Sequence, residues 1–138
     1  MRDTILYGDC LQTLDTLKSH ISIGICDKPR MCVTSPPYYG LRDYGGEDNQ
    51  IGHEDTPEEF ISNLVNIFSK VKDCLADDGT LWLNMGDSYY NYRPGKGQAL
   101  VKQSVANSKQ DLPDKCARRG NKLEGLKEKD LIGIPWML

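Results

Sequence analysis

Met31-Cys32-Val33-Thr34-Ser35-Pro36-Pro37-Tyr38-Tyr39-Gly40 is a short apolar strand that runs straight into a turn held by two prolines. Each proline fixes φ and removes an N–H donor, so a sheet ladder cannot continue through this stretch. Downstream, Thr56-Pro57-Glu58-Glu59 supplies an N-cap, a proline at the first helical position and a capping-box glutamate. Phe60, Leu64, Phe68, Val71 and Leu75 then share one helix face, and Asp77-Asp78-Gly79 ends the helix. Thr80–Met85 reads as the next strand, with apolar residues on both faces, as in a parallel sheet covered by helices. Upstream, Thr4–Tyr7 reads as a strand and Gly8-Asp9 as the start of a helix. Its capping box is Asp9-x-x-Gln12, and Leu11, Leu14 and Leu17 form its apolar face. A polar connection from Ser19 to Arg30 leads back to Met31. The order strand, helix, strand, helix, strand predicts an α/β fold. A last helix is expected from Lys129-Asp130-Leu131 onward; it is still apolar at Leu138 and reads as an element cut short.

The chain has 138 residues, 27% charged and 38% hydrophobic, enough for one globular domain with a core. No apolar run is long enough to cross a membrane, and no signal-peptide segment is evident, so a cytoplasmic protein is expected. Five scattered cysteines, with no C-x-x-C pair and only His20 and His53 as further ligands, predict reduced thiols and no metal site. The net charge of −3 conceals an asymmetry. Residues 1–92 carry 7 Lys/Arg against 15 Asp/Glu, whereas residues 93–129 carry 10 against 4. The Gly-, Lys- and Ser-rich stretch of about 91–125 reads as a long loop. Its charge suits contact with phosphates, although a merely solvated loop would carry the same residues.

Ligands of open parallel sheets bind just past the carboxyl ends of the strands. Three such ends carry polar or aromatic residues here: Gly8-Asp9, Ser35–Tyr39 and Asn84–Tyr89. The stiff turn after Thr34 offers a hydroxyl, a carbonyl free of any ladder and an aromatic wall. That set suits the exocyclic amine of a base, whose lone pair is delocalised into the ring. Accepting both its N–H bonds favours the tetrahedral, more nucleophilic form, and a tyrosine face can stack on a base swung out of a duplex. A Pro-rich loop without chemical purpose has the same composition.

The run Thr34-Ser35-Pro36-Pro37-Tyr38-Tyr39-Gly40-Leu41-Arg42-Asp43-Tyr44-Gly45 resembles the catalytic motif of bacterial and phage DNA amino-methyltransferases. The group resembled is the one whose catalytic region precedes its cofactor-binding region. Gln50–Glu59, Asp78–Tyr89 and Lys129–Trp136 resemble later segments of the same family, in order, so nearly the whole chain is covered. The resemblance implies a partial Rossmann-like fold that uses S-adenosyl-L-methionine, with a parallel sheet and flanking helices. By position it implies that Ser35, Pro36, Pro37 and Tyr38 are catalytic. Ser35 and the Pro36 carbonyl would bind the target amine, and Tyr38 would stack on the base. Asp9, Cys10, Thr34 and Ser35 would meet the cofactor, Asp9 also being the helix cap. Tyr39, Arg42, Arg118, Arg119 and Lys122 would face double-stranded DNA. Asn84, Gly86 and Asp87 lie beside the catalytic strand in the family; as plain sequence they also read as a strand-end turn.

The family's glycine-rich F-x-G-x-G cofactor loop does not occur in these residues, and Gly95-Lys96-Gly97 has no strand before it. Residues 1–138 are therefore expected to be the catalytic part of one methyltransferase domain, incomplete at the C-terminus. The reaction expected is methyl transfer to cytosine N4, since the resemblance associates Ser before the prolines with that branch. Adenine N6 is the alternative target, and an inactive truncated fragment the alternative state. A protein-glutamine methyltransferase, with Asn before two prolines, fits the basic loop less well. A plain nucleic-acid-binding module fits the acidic residues 1–92 less well. A restriction endonuclease acting separately is the partner such an enzyme would have.

Overall fold

The structure is a computed structural model and describes residues 4–41, 50–90, 98–99, 117–118 and 123–138. Among these the elements follow the order α1 (Cys10–Ser22), β1 (Met31–Thr34), α2 (Pro57–Cys74), β2 (Thr80–Leu83), β3 (Gln98–Ala99), β4 (Ala117–Arg118) and α3 (Ile134–Met137). They belong to two compact units. Residues 1–36 and 62–84 form the first, residues 37–61 and 85–138 the second.

The first unit is a small parallel sheet with helices. β1 and β2 pair in parallel, Met31 opposite Thr80 through Thr34 opposite Leu83. The ladder is extended at both ends by Thr80 N–H donating to the Arg30 carbonyl and Asn84 N–H to the Thr34 carbonyl, each at 2.9 Å. Parallel strands need a crossover connection, and α2 lies within it. α1 begins as its sequence predicts, with Asp9 Oδ1 accepting from the N–H groups of Leu11 and Gln12 at 3.0 and 3.1 Å. It runs three residues past Ser19, where a loop was expected. Gly24 (φ 76°) closes it by donating to the Ile21 carbonyl, while Ile25 donates to that of His20. This is a Schellman stop, and the glycine supplying it was the available signal. Leu64, Val71 and Cys74 of α2 are buried, and the Cys74 thiol points to the Leu14 carbonyl of α1 at 3.7 Å. The ion pairs Lys18–Asp73 and Lys70–Asp15, both at 2.6 Å, join the two helices at the surface, where such pairs contribute little.

The expected strand Thr4–Tyr7 does not form; these residues are exposed and belong to none of the strands among the described residues. A strand exists only as half of a ladder, and the ladders among the described residues are β1–β2 and β3–β4. One face of the β1–β2 sheet is also bare. Met31, Val33 and Trp82 are 61%, 67% and 62% exposed, and Val33 and Trp82 are register partners.

The second unit contains the first turn of α2. Glu59 N–H donates to Thr56 Oγ1 at 3.2 Å, the cap the sequence predicts, and Pro57 and Phe60 are buried. The helix expected from Lys129 is not there. Lys129 N–H donates to the Tyr90 carbonyl, Tyr90 N–H to the Asp130 carbonyl and Ile132 N–H to the Ser88 carbonyl, and Tyr89 and Leu131 form an antiparallel bridge. Residues 129–132 thus spend their backbone groups on residues 88–90. α3 starts only at Ile134, behind Gly133 (φ 91°). Pro135 was the sequence signal, since proline is tolerated in a first turn and not farther inside. Within the stretch read as one long loop, β3 and β4 pair antiparallel, Gln98 opposite Arg118 and Ala99 opposite Ala117.

Candidate active site

In the first unit, β1 ends at Thr34, whose carbonyl accepts from Asn84. Ser35 follows and is exposed, while Pro36 is buried. Neither the Ser35 hydroxyl nor the Pro36 carbonyl forms a hydrogen bond among the described residues. Asp9 stands at the N-terminus of α1. Its Oδ1 takes both capping bonds, and Oδ2 is unused among the described residues. Cys10 is exposed at the first helical position; partial burial, and then the Asp9 charge, push its thiol up.

In the second unit, Pro37, Tyr38 and Tyr39 open a tight turn. Leu41 N–H donates to the Tyr38 carbonyl at 3.3 Å across Gly40 (φ 65°), whose own N–H donates to the Gly52 carbonyl at 2.8 Å. A positive φ at the third position of a turn is what glycine permits cheaply. The Tyr38 ring lies over the Gly86 backbone so closely that a Cβ at Gly86 would sit 3.2 Å from its Cε2. Ser88 Oγ donates to the Tyr39 carbonyl at 2.8 Å. The Tyr39 ring packs on Phe60, centroids 5.4 Å apart and tilted by 45°, and its hydroxyl donates to the Asp55 carbonyl at 3.4 Å. Burial, reinforced by Glu54, Glu58, Asp55 and Glu59, pushes the Tyr39 phenol up to about 12. Tyr39 is therefore a neutral, largely engaged side chain, with four carboxylates acting on it.

Asp87 is the hub of this unit. Its carboxylate accepts from Gly133 N–H at 2.9 Å, Ile134 N–H at 3.0 Å and Ser88 N–H at 2.8 Å. The sequence pointed to Asp87 without its partners, and gave no sign of the part played by Ser88. Both depend on residues 39 and 133, which are remote along the chain.

The expected site residues are thus divided. Asp9, Cys10, Thr34, Ser35 and Pro36 lie in the first unit, and Pro37, Tyr38 and Tyr39 in the second. Arg118 is placed in β4, while Arg42, Arg119 and Lys122 lie outside the described residues, as does Gly95-Lys96-Gly97. Among the described residues no cluster of His, Cys, Asp or Glu could hold a metal ion, and no helix is long and apolar enough to cross a membrane.

The family model for the DNA methylases matches residues 30–123, from the start of β1 through the double-proline turn and the basic stretch. This chain belongs to the DNA methylase family. It is 46% identical over 135 residues to the type II methyltransferase M.Cfr9I of Citrobacter freundii, and equally to M.XycI of Xanthomonas campestris pv. cyanopsidis. It is 42% identical over 139 residues to M.SmaI of Serratia marcescens. These alignments cover 97–98% of the chain and 40% of each relative, so this DNA methylase chain spans two fifths of the length of those proteins. No solved structure matches it. Its parallel β1–β2 pair and helices are a partial α/β methyltransferase fold.

Proposed function

We propose that this chain supplies the amine-binding turn of a site-specific DNA methyltransferase, which moves a methyl group to the exocyclic amine of a flipped base. The observation that carries the reading is the end of β1, where an exposed hydroxyl and the next carbonyl are left unused among the described residues. In this reading the Ser35 hydroxyl and the Pro36 carbonyl accept the two N–H bonds of the amine. That directs its lone pair outward and lowers the cost of attack by fixed polar contacts. Pro37 keeps the turn rigid, and Tyr38 stacks on the base.

The methyl donor implied for the family is S-adenosyl-L-methionine, and residues of the first unit are proposed to take its adenosine end. Asp9 retains Oδ2 beyond its capping role, Thr34 ends β1 and Ser35 follows it. Asp9, Cys10, Thr34 and Ser35 would hold it there, and bound it supplies an electrophilic methyl group. Cytosine N4 is the favoured target because serine precedes the prolines, a lean that comes from the resemblance above. The relatives' type II names support a restriction–modification setting; double-stranded DNA as substrate, an endonuclease acting separately and a cytoplasmic location belong to the same proposal. Arg42, Arg118, Arg119 and Lys122 would meet phosphates.

Ser35→Ala tests the reading in a whole protein that methylates DNA. The rate should fall by about 10²-fold with folding intact, the effect of deleting one preorganised polar contact. Unchanged turnover would remove Ser35 from the chemistry. Single-molecule sequencing of DNA from expressing cells identifies the base; methyladenine in place of N4-methylcytosine would assign the enzyme to the adenine branch.

A further inference from the structure

We propose that Gly86 and Ser88 are positioning residues for Tyr38, an inference that rests on Tyr38 stacking on the target base. A tyrosine ring on a surface turn has two rotatable side-chain torsions, and stacking is effective only if the ring is already oriented when the base arrives. Within the second unit one contact limits that freedom, and two more fix the backbone that carries the ring. Gly86 forms a flat backbone shelf beneath the ring; with any Cβ there, Cε2 would be 3.2 Å away and Cδ2 and Cζ 3.7 Å, so the ring would have to move. Ser88, two residues on, holds the peptide after Tyr39 through its 2.8 Å bond to the Tyr39 carbonyl. The turn's own bond from Leu41 N–H to the Tyr38 carbonyl fixes the backbone on which the ring is carried.

The strip bearing both residues is itself immobilised. Between them Asp87 takes the N–H groups of Gly133 and Ile134, and the Ser88 carbonyl accepts from Ile132 at 2.9 Å. Gly86-Asp87-Ser88 is therefore a bracket, anchored through Asp87 and the Ser88 backbone, with Tyr38 and Tyr39 held by the flanking glycine and the serine hydroxyl. Alanine at 86 would tilt the ring; alanine at 88 would release the turn; threonine at 88 would keep the donor.

The test uses the whole methylating protein with isotope-labelled tyrosine, following the Tyr38 ring by nuclear magnetic resonance. Gly86→Ala and Ser88→Ala should each shift the Tyr38 signal and raise KM for DNA about tenfold, the scale of one weakened stacking contact, with kcat changed less. Ser88→Thr should restore both. In a Tyr38→Ala background neither substitution should add a further defect, since the ring they orient is gone. A Tyr38 signal unmoved by both substitutions, or a full additional defect in the Tyr38→Ala background, would overturn the inference. If the signal moves but Tyr38→Ala methylates like wild type, the bracket holds a ring with no part in binding the base, which overturns the reading beneath it.

Discussion

Tyr39 is the side chain whose surroundings change its chemistry most. In the sequence it is one of two adjacent tyrosines and looks as available as Tyr38. In the fold its ring is packed on Phe60 and its phenol is half-buried and influenced by carboxylates, so the neutral form is favoured. A raised pKa in the folded state contributes stability that is complete below the unfolded value, about 10 for a phenol, and is lost as pH rises through the folded value. The loss is therefore expected between about pH 10 and the folded value of about 12. In an alkaline ultraviolet titration Tyr39 should be the late-ionising phenol, and Tyr39→Phe should abolish that late step. A late step that survives the substitution belongs to another tyrosine. The two tyrosines are separated by packing against Phe60 and Gly86, neither of which a reading of neighbours along the chain reveals.

Elements with local signals were legible, and those defined by distant partners were not. Asp9 and Thr56 each cap a helix as the sequence predicts, because a cap bonds to N–H groups two or three residues away. β1 and the start of β2 were equally readable from their apolar runs and the turn residues around them. The segment 129–132 was misread because its backbone pairs with residues 88–90. Asp87 shows how such pairing is held, since its carboxylate satisfies the first free N–H groups of α3. Asp87→Ala should leave these buried or half-buried donors unsatisfied and cost about 1–3 kcal/mol. Hydrogen exchange should show the loss at residues 132–135 and spare α1. Uniform loss of protection across both units would mean that Asp87 supports the whole molecule and not this junction alone.

Over the whole chain, an acidic stretch carries the double-proline turn and a basic stretch follows it, 15 Asp/Glu in residues 1–92 against 10 Lys/Arg in 93–129. In the proposed reading the basic stretch contacts phosphates, and such contacts release counterions. Replacing Arg118, Arg119 and Lys122 with Gln should therefore flatten the slope of log affinity against log salt by roughly two to three units. Specific and random DNA should weaken alike, because phosphates carry no sequence. An altered recognition sequence at an unchanged salt slope would mean that these residues read bases. The bare sheet face of Met31, Val33 and Trp82 belongs to the same scale. Apolar on both sides, the strands read as buried, yet burial needs a second covering layer, which the described residues do not supply.

Family, the helix–strand–helix–strand order from Cys10 to Leu83, the N-terminal caps of both long helices and the strand running into Ser35-Pro36-Pro37 were legible in the residues alone. The family rests on the resemblance of Thr34–Gly45 and the later segments, and the elements on short-range pattern: helical and strand period, capping residues and proline's missing N–H. Tertiary structure decided that Thr4–Tyr7 is no strand, that residues 129–132 are no helix, that Tyr39 is packed where Tyr38 is shelved, and that Gly86, Asp87 and Ser88 form a bracket. These outcomes depend on which backbone donors and acceptors meet across tens of residues, a pairing that only the folded chain specifies.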